Sequence, residues 1–132
     1  MRSRGLLHAE LAGVIAGLGH GQLLVVADAG LPIPPSVRRI DLAVQPGLPG
    51  FLPVLQAVVE EGVFEAATIA TELGSGNPSL AGAVAQVLEP SIAVMRVPHD
   101  DLKQMTSEAV AVIRTGEFTP YANVVLRAGV AF

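Results

Sequence analysis

The stretch Leu18 to Pro35, LGHGQLLVVADAGLPIPP, places polar side chains at both ends of a short apolar run. Residues 23–27 have the length and composition of a strand that is buried on both faces. His20 precedes this strand, just past the end of a predicted helix, and Asp28 follows it directly, ahead of a loop rich in glycine and proline. Because ligands in open α/β sheets bind where strands end, Asp28 is well placed for a site, and His20 is its candidate partner.

Alternating helix and strand patterns extend over the rest of the chain. The patterns predict helices at 7–19, 51–61, 78–89 and 99–107, a turn at 74–77, and strands at 23–27, 40–44, 63–70, 91–97, 109–114 and 123–127. This alternation predicts a three-layer α/β/α domain with a mainly parallel central sheet, in which the last two strands are the candidate antiparallel pair. At 132 residues, we expect a single domain over 1–132.

The composition indicates a protein that associates with copies of itself. Hydrophobic residues make up 51% of the chain and charged residues 15%, whereas charged residues usually make up about 25% of a soluble domain. So few charges do not cover the surface of a lone monomer. The C-terminal residues 128–132 are also apolar, and we expect them to be buried against the body of the protein or against a neighbouring subunit.

Several classes of protein are excluded or disfavoured by composition. The net charge of −4 and the scattered Lys and Arg residues give no reason to expect a nucleic-acid partner. The absence of cysteine excludes disulfides, thiolate metal sites and cysteine nucleophiles. No apolar run approaches the ~18 residues of a membrane span. Polar residues interrupt the N-terminal apolar stretch, so a signal peptide is poorly supported and a cytoplasmic location is expected.

No metal or cofactor motif is present. The three histidines, His8, His20 and His99, lack metal-ligand spacing, and His8 is expected on the solvent face of the first helix. The sequence GSGN at 74–77 is not a phosphate-binding loop, because no lysine follows in the required place. The chain also lacks a serine nucleophile elbow and a dinucleotide fingerprint. We therefore predict neither a bound metal nor a redox cofactor.

His20 and Asp28 each allow a chemical and a simpler structural interpretation. A position just past a helix C-terminus favours the imidazolium by ~0.3–1 kcal/mol, which would let His20 donate a proton near neutral pH. From position alone, a histidine that merely caps helix carbonyls is the more frequent case. Asp28 could bond amides of the Gly30 loop, or it could orient the imidazole of His20.

His99 and Lys103 stand four residues apart and would share one face of a short helix. A helix start disfavours a positive imidazole, so His99 and His20 would be biased in opposite directions, as in an acid and base pair. The simpler interpretation of HDDLK at 99–103 is an exposed helix end with solvated charges.

Tyr121 and Asn123 flank Ala122 at the entry to the last predicted strand. Strand alternation would point both side chains to the same side. One aromatic face with two polar groups is suited to a small polyol. A core tyrosine with a satisfied hydroxyl is the alternative.

Three long motifs carry a resemblance to a known family. They are GLGHG at 17–21, DAGLPIP at 28–34 and RTGEFTPYANVVLRAGVAF at 114–132. They resemble the ribose pyranase/fucose mutarotase family, and within it the ribose branch, and the likeness runs nearly end to end.

The resemblance implies a cofactor-independent isomerase of ribose catabolism, a mutarotase that interconverts the β-pyranose and β-furanose forms of D-ribose. His20 matches the position of the family's catalytic acid/base, and the positions that match sugar contacts are Asp28, His99, Lys103, Tyr121 and Asn123. The family also implies a homodecamer of two stacked pentameric rings, with sites completed across subunit contacts. The alternatives are an L-fucose-type mutarotase and a non-catalytic ribose-binding ring associated with sugar uptake.

Overall fold

A computed structural model describes residues 1–132 and shows one six-stranded sheet with helices on its faces. The helices are α1 (Ala9–Ala16), α2 (Phe51–Glu61), α3 (Thr71–Gly76), α4 (Pro78–Leu88) and α5 (His99–Met105), the last continued by a 3-10 turn at Thr106–Glu108. The strands are β1 (Leu23–Ala27), β2 (Arg38–Asp41), β3 (Phe64–Ala70), β4 (Ala93–Val97), β5 (Ala109–Arg114) and β6 (Val124–Ala128). Their order across the sheet is β2-β5-β1-β6-β3-β4.

Five strands run in one direction and β6 runs against them. β1 and β2 pair in parallel with β5, and β3 pairs in parallel with β4. β6 lies between β1 and β3 and is antiparallel to both. The predicted mainly parallel sheet is thus confirmed. The last two strands run in opposite directions, as predicted, but they do not pair with each other, because β1 lies between β5 and β6.

The two faces of the sheet carry unequal layers. The larger hydrophobic core packs α1, α2, α3 and α4 against one face. The smaller core, on the other face, is covered by α5 through Leu102 and by the loop through Leu31 and Val37. Within β1, Leu24 and Val26 belong to the larger core, and Val25 and Ala27 to the smaller one. The strand is therefore buried on both faces, as its unbroken apolar run predicts.

The first helix is shorter than the sequence pattern predicts. α1 ends at Ala16, and the Gly17 N–H closes its last turn on carbonyls of that helix. Residues 19–22 then form a separate turn, in which the Gln22 side chain accepts a hydrogen bond from the Gly19 N–H at 2.7 Å. His20 consequently does not lie directly at the helix end. His8 is exposed, as predicted, but it precedes α1 as the N-cap residue, where its Nδ1 accepts the Leu11 N–H at 3.1 Å.

A helix replaces the turn expected after β3. α3 contains TELGSG, whose glycine and serine residues have low helix propensity. Leu73 in this helix is fully buried in the larger core. Tertiary packing of this leucine thus overrides the local preference.

The apolar C-terminus is only partly covered by its own chain. Ala128, the last residue of β6, is buried, whereas Val130 is 40% exposed and Phe132 is fully exposed. Burial against the body is thus confirmed for Ala128 and wrong for Val130 and Phe132, and burial against a neighbouring subunit stays a prediction. None of the helices has the length and apolar character that a membrane crossing requires.

The central position of β6 predicts a large effect of truncating Leu126, which is fully buried in the larger core. We expect Leu126→Ala to lower the free energy of unfolding by about 2–5 kcal/mol, because it removes buried methyl groups and leaves a cavity. The matched control is Leu7→Ala at a leucine that is 70% exposed, for which we expect about 0.5 kcal/mol or less. Denaturant unfolding of both variants checks this. Equal losses would contradict the assigned core.

Candidate functional site

Three loops meet at the edge of the sheet where β1, β4 and β5 end, and they line a pocket of about 620 Å³. Because these strands are parallel, their carboxyl ends lie at the same edge, where open α/β sheets bind ligands. The lining residues are Asp28, Ala29, Gly30, Leu31, Pro32, His99, Arg114, Glu117, Phe118, Thr119, Pro120 and Tyr121.

Asp28 is held on the pocket wall by Asn123. The Asp28 N–H donates to Asn123 Oδ1 at 2.9 Å, and Asn123 Nδ2 donates to Asp28 Oδ2 at 2.9 Å. The other oxygen, Oδ1, accepts the Gly30 N–H at 2.9 Å. The structural interpretation of Asp28 is therefore confirmed, because its carboxylate bonds an amide of the Gly30 loop. The carboxylate also lines the pocket. Asn123 is fully buried, so in this chain it orients Asp28.

Tyr121 adopts an unusual backbone conformation at the pocket. Its φ of 64° lies in the left-handed region, which costs a residue other than glycine of order 1 kcal/mol or more. The Tyr121 carbonyl accepts the Asn123 N–H at 2.9 Å. This tight turn lets Tyr121 face the pocket while Asn123 points into the protein. Tyr121 is therefore not the buried core tyrosine of the alternative interpretation.

His99 is the first residue of α5 and faces Tyr121 across the pocket wall. The two rings make an edge-to-face contact, with centroids 5.0 Å apart and an interplanar angle of 80°. The Nδ1 atom of His99 is buried and has no hydrogen-bond partner in the chain. Buried polar atoms are nearly always paired, so an unpaired ring nitrogen beside a pocket marks a position for a ligand group.

Lys103 lies on the same short helix as His99, but it is not part of the pocket wall. Its ammonium pairs with the Asp100 carboxylate at 3.0 Å. The hydrogen bond and charge of Lys103 lower the pKa of Asp100. The helix predicted for HDDLK is confirmed, whereas a contact of Lys103 with a ligand stays a prediction.

His20 lies at the opposite edge of the sheet from Asp28. It precedes β1 and Asp28 follows it, and the five residues of β1 extend roughly 16 Å at about 3.3 Å each. A pairing of His20 with Asp28 inside one chain is therefore wrong. The carboxylate that His20 does contact is Glu65, at 3.0 Å from Nε2, and Glu65 also pairs with Arg127 at 3.0 Å.

The surroundings of His20 are exposed and partly apolar. The imidazole is 58% exposed. It borders a second pocket, of about 590 Å³, whose walls include the end of α1, the turn at 61–63 and the apolar tail 128–132. His20 thus lies on a surface of the kind that a neighbouring molecule covers.

Glu117 and Arg114 are site residues that the sequence analysis missed. Glu117 accepts the Phe51 N–H at 3.0 Å and thereby caps α2, whose N-cap residue is a glycine. This hydrogen bond is the main reason that the pKa of Glu117 lies below its ordinary value of 4.5. Arg114 donates from Nε to the Ala29 carbonyl at 3.0 Å. Both residues lie in the family motif at 114–132, but nothing in that motif marked them as site residues. The glycine before α2 indicates a missing side-chain cap, and it does not identify a partner 66 residues away.

No group of three or more His, Cys, Asp or Glu side chains is arranged to hold a metal ion. The polar groups around the pocket are hydrogen-bond donors and acceptors, together with one imidazole. Such a set can bind hydroxyl groups and move protons.

Comparisons with known proteins identify the family. The model of the RbsD / FucU transport protein family matches residues 1–131. The chain belongs to this family. A D-ribose pyranase of Symbiobacterium thermophilum is 48% identical over the full length of both chains. A D-ribose pyranase of Paracidovorax citrulli is 50% identical, again with full coverage of both chains.

Two solved structures share the fold of this chain. Bacillus subtilis RbsD, solved as a complex with D-ribose, matches with a TM-score of 0.95 and 42% identity over the whole of both chains. The fucose mutarotase of Streptococcus pneumoniae, solved with L-fucose, matches with a TM-score of 0.75 and 22% identity, covering 96% of this chain and 100% of that one. The second likeness supports the fold alone. The predicted α/β architecture is thus confirmed.

The lowered pKa of Glu117 predicts a loss of stability in acid. Its folded-state pKa is below its unfolded value, so its contribution is complete above about pH 5 and is lost as the pH falls through the folded pKa. The pKa values of Glu61, Glu72 and Asp100 are lowered as well, so they add to the same loss. We expect the Tm to be flat from pH 7 to about 5.5 and to fall below about pH 4.5.

The variant Glu117→Gln isolates one part of this loss. It should have a lower Tm than the unmodified chain at pH 7, and the difference should shrink as the pH is lowered to 4. Glu89→Gln, at an exposed glutamate that ends α4, is the control. A difference for Glu117→Gln that stays constant with pH would contradict the assigned role of its charge. Calorimetry or dye-monitored melting provides the measurement.

Proposed function

We propose that this chain is a D-ribose pyranase, an isomerase that interconverts the β-pyranose and β-furanose forms of D-ribose without a cofactor. The observation that carries the proposal is the full-length match to RbsD in complex with D-ribose, at a TM-score of 0.95 and 42% identity. The relatives named D-ribose pyranase, at 46–50% identity over the full chain, support it. The pocket supports it too, because it presents Asp28, His99 and Tyr121 together.

The proposed reaction requires only proton transfer. An acid protonates the ring oxygen of the pyranose while a base removes the proton of the anomeric hydroxyl, and the ring opens to the aldehyde. The C4 hydroxyl then attacks the carbonyl in place of the C5 hydroxyl, and the furanose forms. Acid/base assistance of this kind contributes about 10²- to 10⁴-fold. Asp28, His99 and Tyr121 hold the sugar hydroxyls at the pocket wall. Contacts of Lys103 and Asn123 with the sugar stay predictions, because neither residue lines this pocket.

We propose that His20 acts as the acid/base in the pocket of a second copy of the chain. Two observations support this assignment. The strand β1 holds His20 roughly 16 Å from the pocket of its own chain. His20 is also exposed, beside the uncovered tail that ends at Phe132. A neighbour that covers this tail would receive His20 at its surface.

We further propose a homodecamer of two pentameric rings, located in the cytoplasm. The exposed apolar tail and the low fraction of charged residues support self-association. The ring size follows from the family resemblance, and the absence of cysteine fits a reducing compartment. Light scattering on the purified protein measures the mass directly, and the expected mass is that of ten chains of 13.6 kDa each.

The activity is tested by NMR magnetisation exchange between the pyranose and furanose anomeric signals of D-ribose. We expect the protein to accelerate the exchange and His20→Ala to reduce the acceleration by about 10²- to 10⁴-fold, because the acid/base is lost. His8→Asn is the matched control, since asparagine can still cap α1. Acceleration with L-fucose but not D-ribose would identify a fucose-type mutarotase instead. Ribose binding without acceleration would indicate a sugar-binding ring.

Shared sites are tested by mixing two inactive variants. In a shared site, one chain supplies the pocket with Asp28 and its neighbour supplies His20. When Asp28→Ala and His20→Ala chains are co-expressed and assemble at random, about a quarter of the sites should therefore contain both Asp28 and His20. We expect each variant alone to be nearly inactive and the co-assembled mixture to recover activity. If the mixed oligomers remain inactive while both variants assemble, His20 does not act across subunits.

A further inference from the structure

We propose that Glu72 is a positioning residue of the site: its carboxylate holds the backbone of His99 and thereby directs the imidazole toward the pocket. Glu72 is not part of the pocket wall, and no sequence motif drew attention to it. The inference deepens the proposed function, on which it rests for the identity of the sugar.

Strand register brings Glu72 and His99 together. β3 and β4 are parallel neighbours, and Ala70 pairs with Val97 at their carboxyl ends. Glu72 follows Ala70 by two residues, and His99 follows Val97 by two residues. The two residues therefore leave the same edge of the sheet side by side, although they are 27 positions apart in the chain.

The contact between them is bifurcated and fixed on both sides. The His99 N–H donates to Glu72 Oε1 at 3.1 Å and to Oε2 at 3.0 Å. The Thr71 hydroxyl donates to Oε1 at 2.7 Å and locks the carboxylate. The Thr71 hydrogen bond, followed by that of the His99 N–H, lowers the pKa of Glu72. The group that holds His99 is thus an ionised carboxylate at neutral pH.

The helix α5 has no local substitute for this carboxylate. Its N-cap residue is Pro98, whose side chain cannot accept a hydrogen bond. Without Glu72, the His99 N–H at the start of a seven-residue helix would be left without its acceptor. The first turn would then loosen.

The position of the imidazole depends on this first turn. The ring makes an edge-to-face contact with Tyr121, and its Nδ1 has no partner in the chain. No side-chain hydrogen bond therefore fixes the ring, and the backbone of His99 sets where it lies. A displacement of about 1 Å in a group that contacts substrate can cost on the order of 10²-fold in rate.

Asn77 provides a matched control for helix capping as such. Its side chain accepts the Leu80 N–H at 3.0 Å and caps α4, in the way that Glu72 caps α5. Asn77 does not line the pocket. Asn77→Ala therefore removes a helix cap without touching His99, and it separates a loss of stability from a loss of positioning.

The test compares Glu72→Ala, Glu72→Gln and Asn77→Ala in the full chain, with two readouts. One is kcat/KM for D-ribose exchange. The other is the NMR chemical shift of the His99 ring in protein with isotope-labelled histidine. The chain has three histidines, so the spectrum is simple, and a His99→Gln variant assigns the His99 signals. The ring signals report the packing of His99 on Tyr121 whatever the substrate is.

We expect Glu72→Ala to lower kcat/KM about 10- to 100-fold and to shift the His99 ring signals toward those of a solvent-exposed histidine. Glu72→Gln should retain most of the kcat/KM value and nearly the same His99 ring signals as the unmodified protein, because its amide oxygen still accepts the His99 N–H. Asn77→Ala should change neither kcat/KM nor the His99 ring signals, even where it lowers the Tm as much as Glu72→Ala does.

The proposal is overturned if Glu72→Ala keeps the His99 ring signals of the unmodified protein, or if its kcat/KM matches that of Asn77→Ala. Failure of the proposed function gives a different result. In that case the unmodified protein does not accelerate ribose exchange, and the ring signals still decide whether Glu72 holds His99.

Discussion

β6 enters the centre of the sheet between β1 and β3 and runs against both of them. Its first residue, Val124, pairs with Val26 near the carboxyl end of β1. The reversed direction places the residues before β6 at the pocket edge, where Asn123 reaches Asp28 and Tyr121 reaches His99. If β6 were parallel to β1, these residues would lie at the opposite edge, and the pocket would lose one of its three walls.

Two carboxylates, Glu117 and Glu72, hold backbone groups around the pocket in place. Glu117 caps α2, and Glu72 caps α5, and the N-cap residues of these helices, Gly50 and Pro98, offer no side-chain acceptor. Each carboxylate comes from a distant part of the chain. Glu117 ties the pocket loop after β5 to the start of α2, and Glu72 ties α3 to the start of α5. The stability of the fold and the geometry of the site are therefore coupled. Acid that protonates the carboxylates would loosen both.

The sequence predicted most of the elements because they depend on local patterns. The unbroken apolar run of β1, Asn77 with Pro78 at the start of α4, and the helix at His99 are examples. The insertion of β6 and the formation of α3 depend on contacts between distant residues, which no local pattern contains. For the site, the family resemblance pointed to Asp28, His99 and Tyr121. The separation of His20 from Asp28 became visible only once β1 was placed between them.

In the proposed assembly, a ring-opening site at the carboxyl edge of the sheet combines Asp28, His99 and Tyr121 of one chain with His20 of another. A crystal structure of the assembled protein with D-ribose is the decisive measurement. We expect the sugar in the pocket at Asp28, with the imidazole of His20 from a second copy within hydrogen-bond distance of it. A sugar bound there with every His20 out of reach, or bound elsewhere, would contradict it.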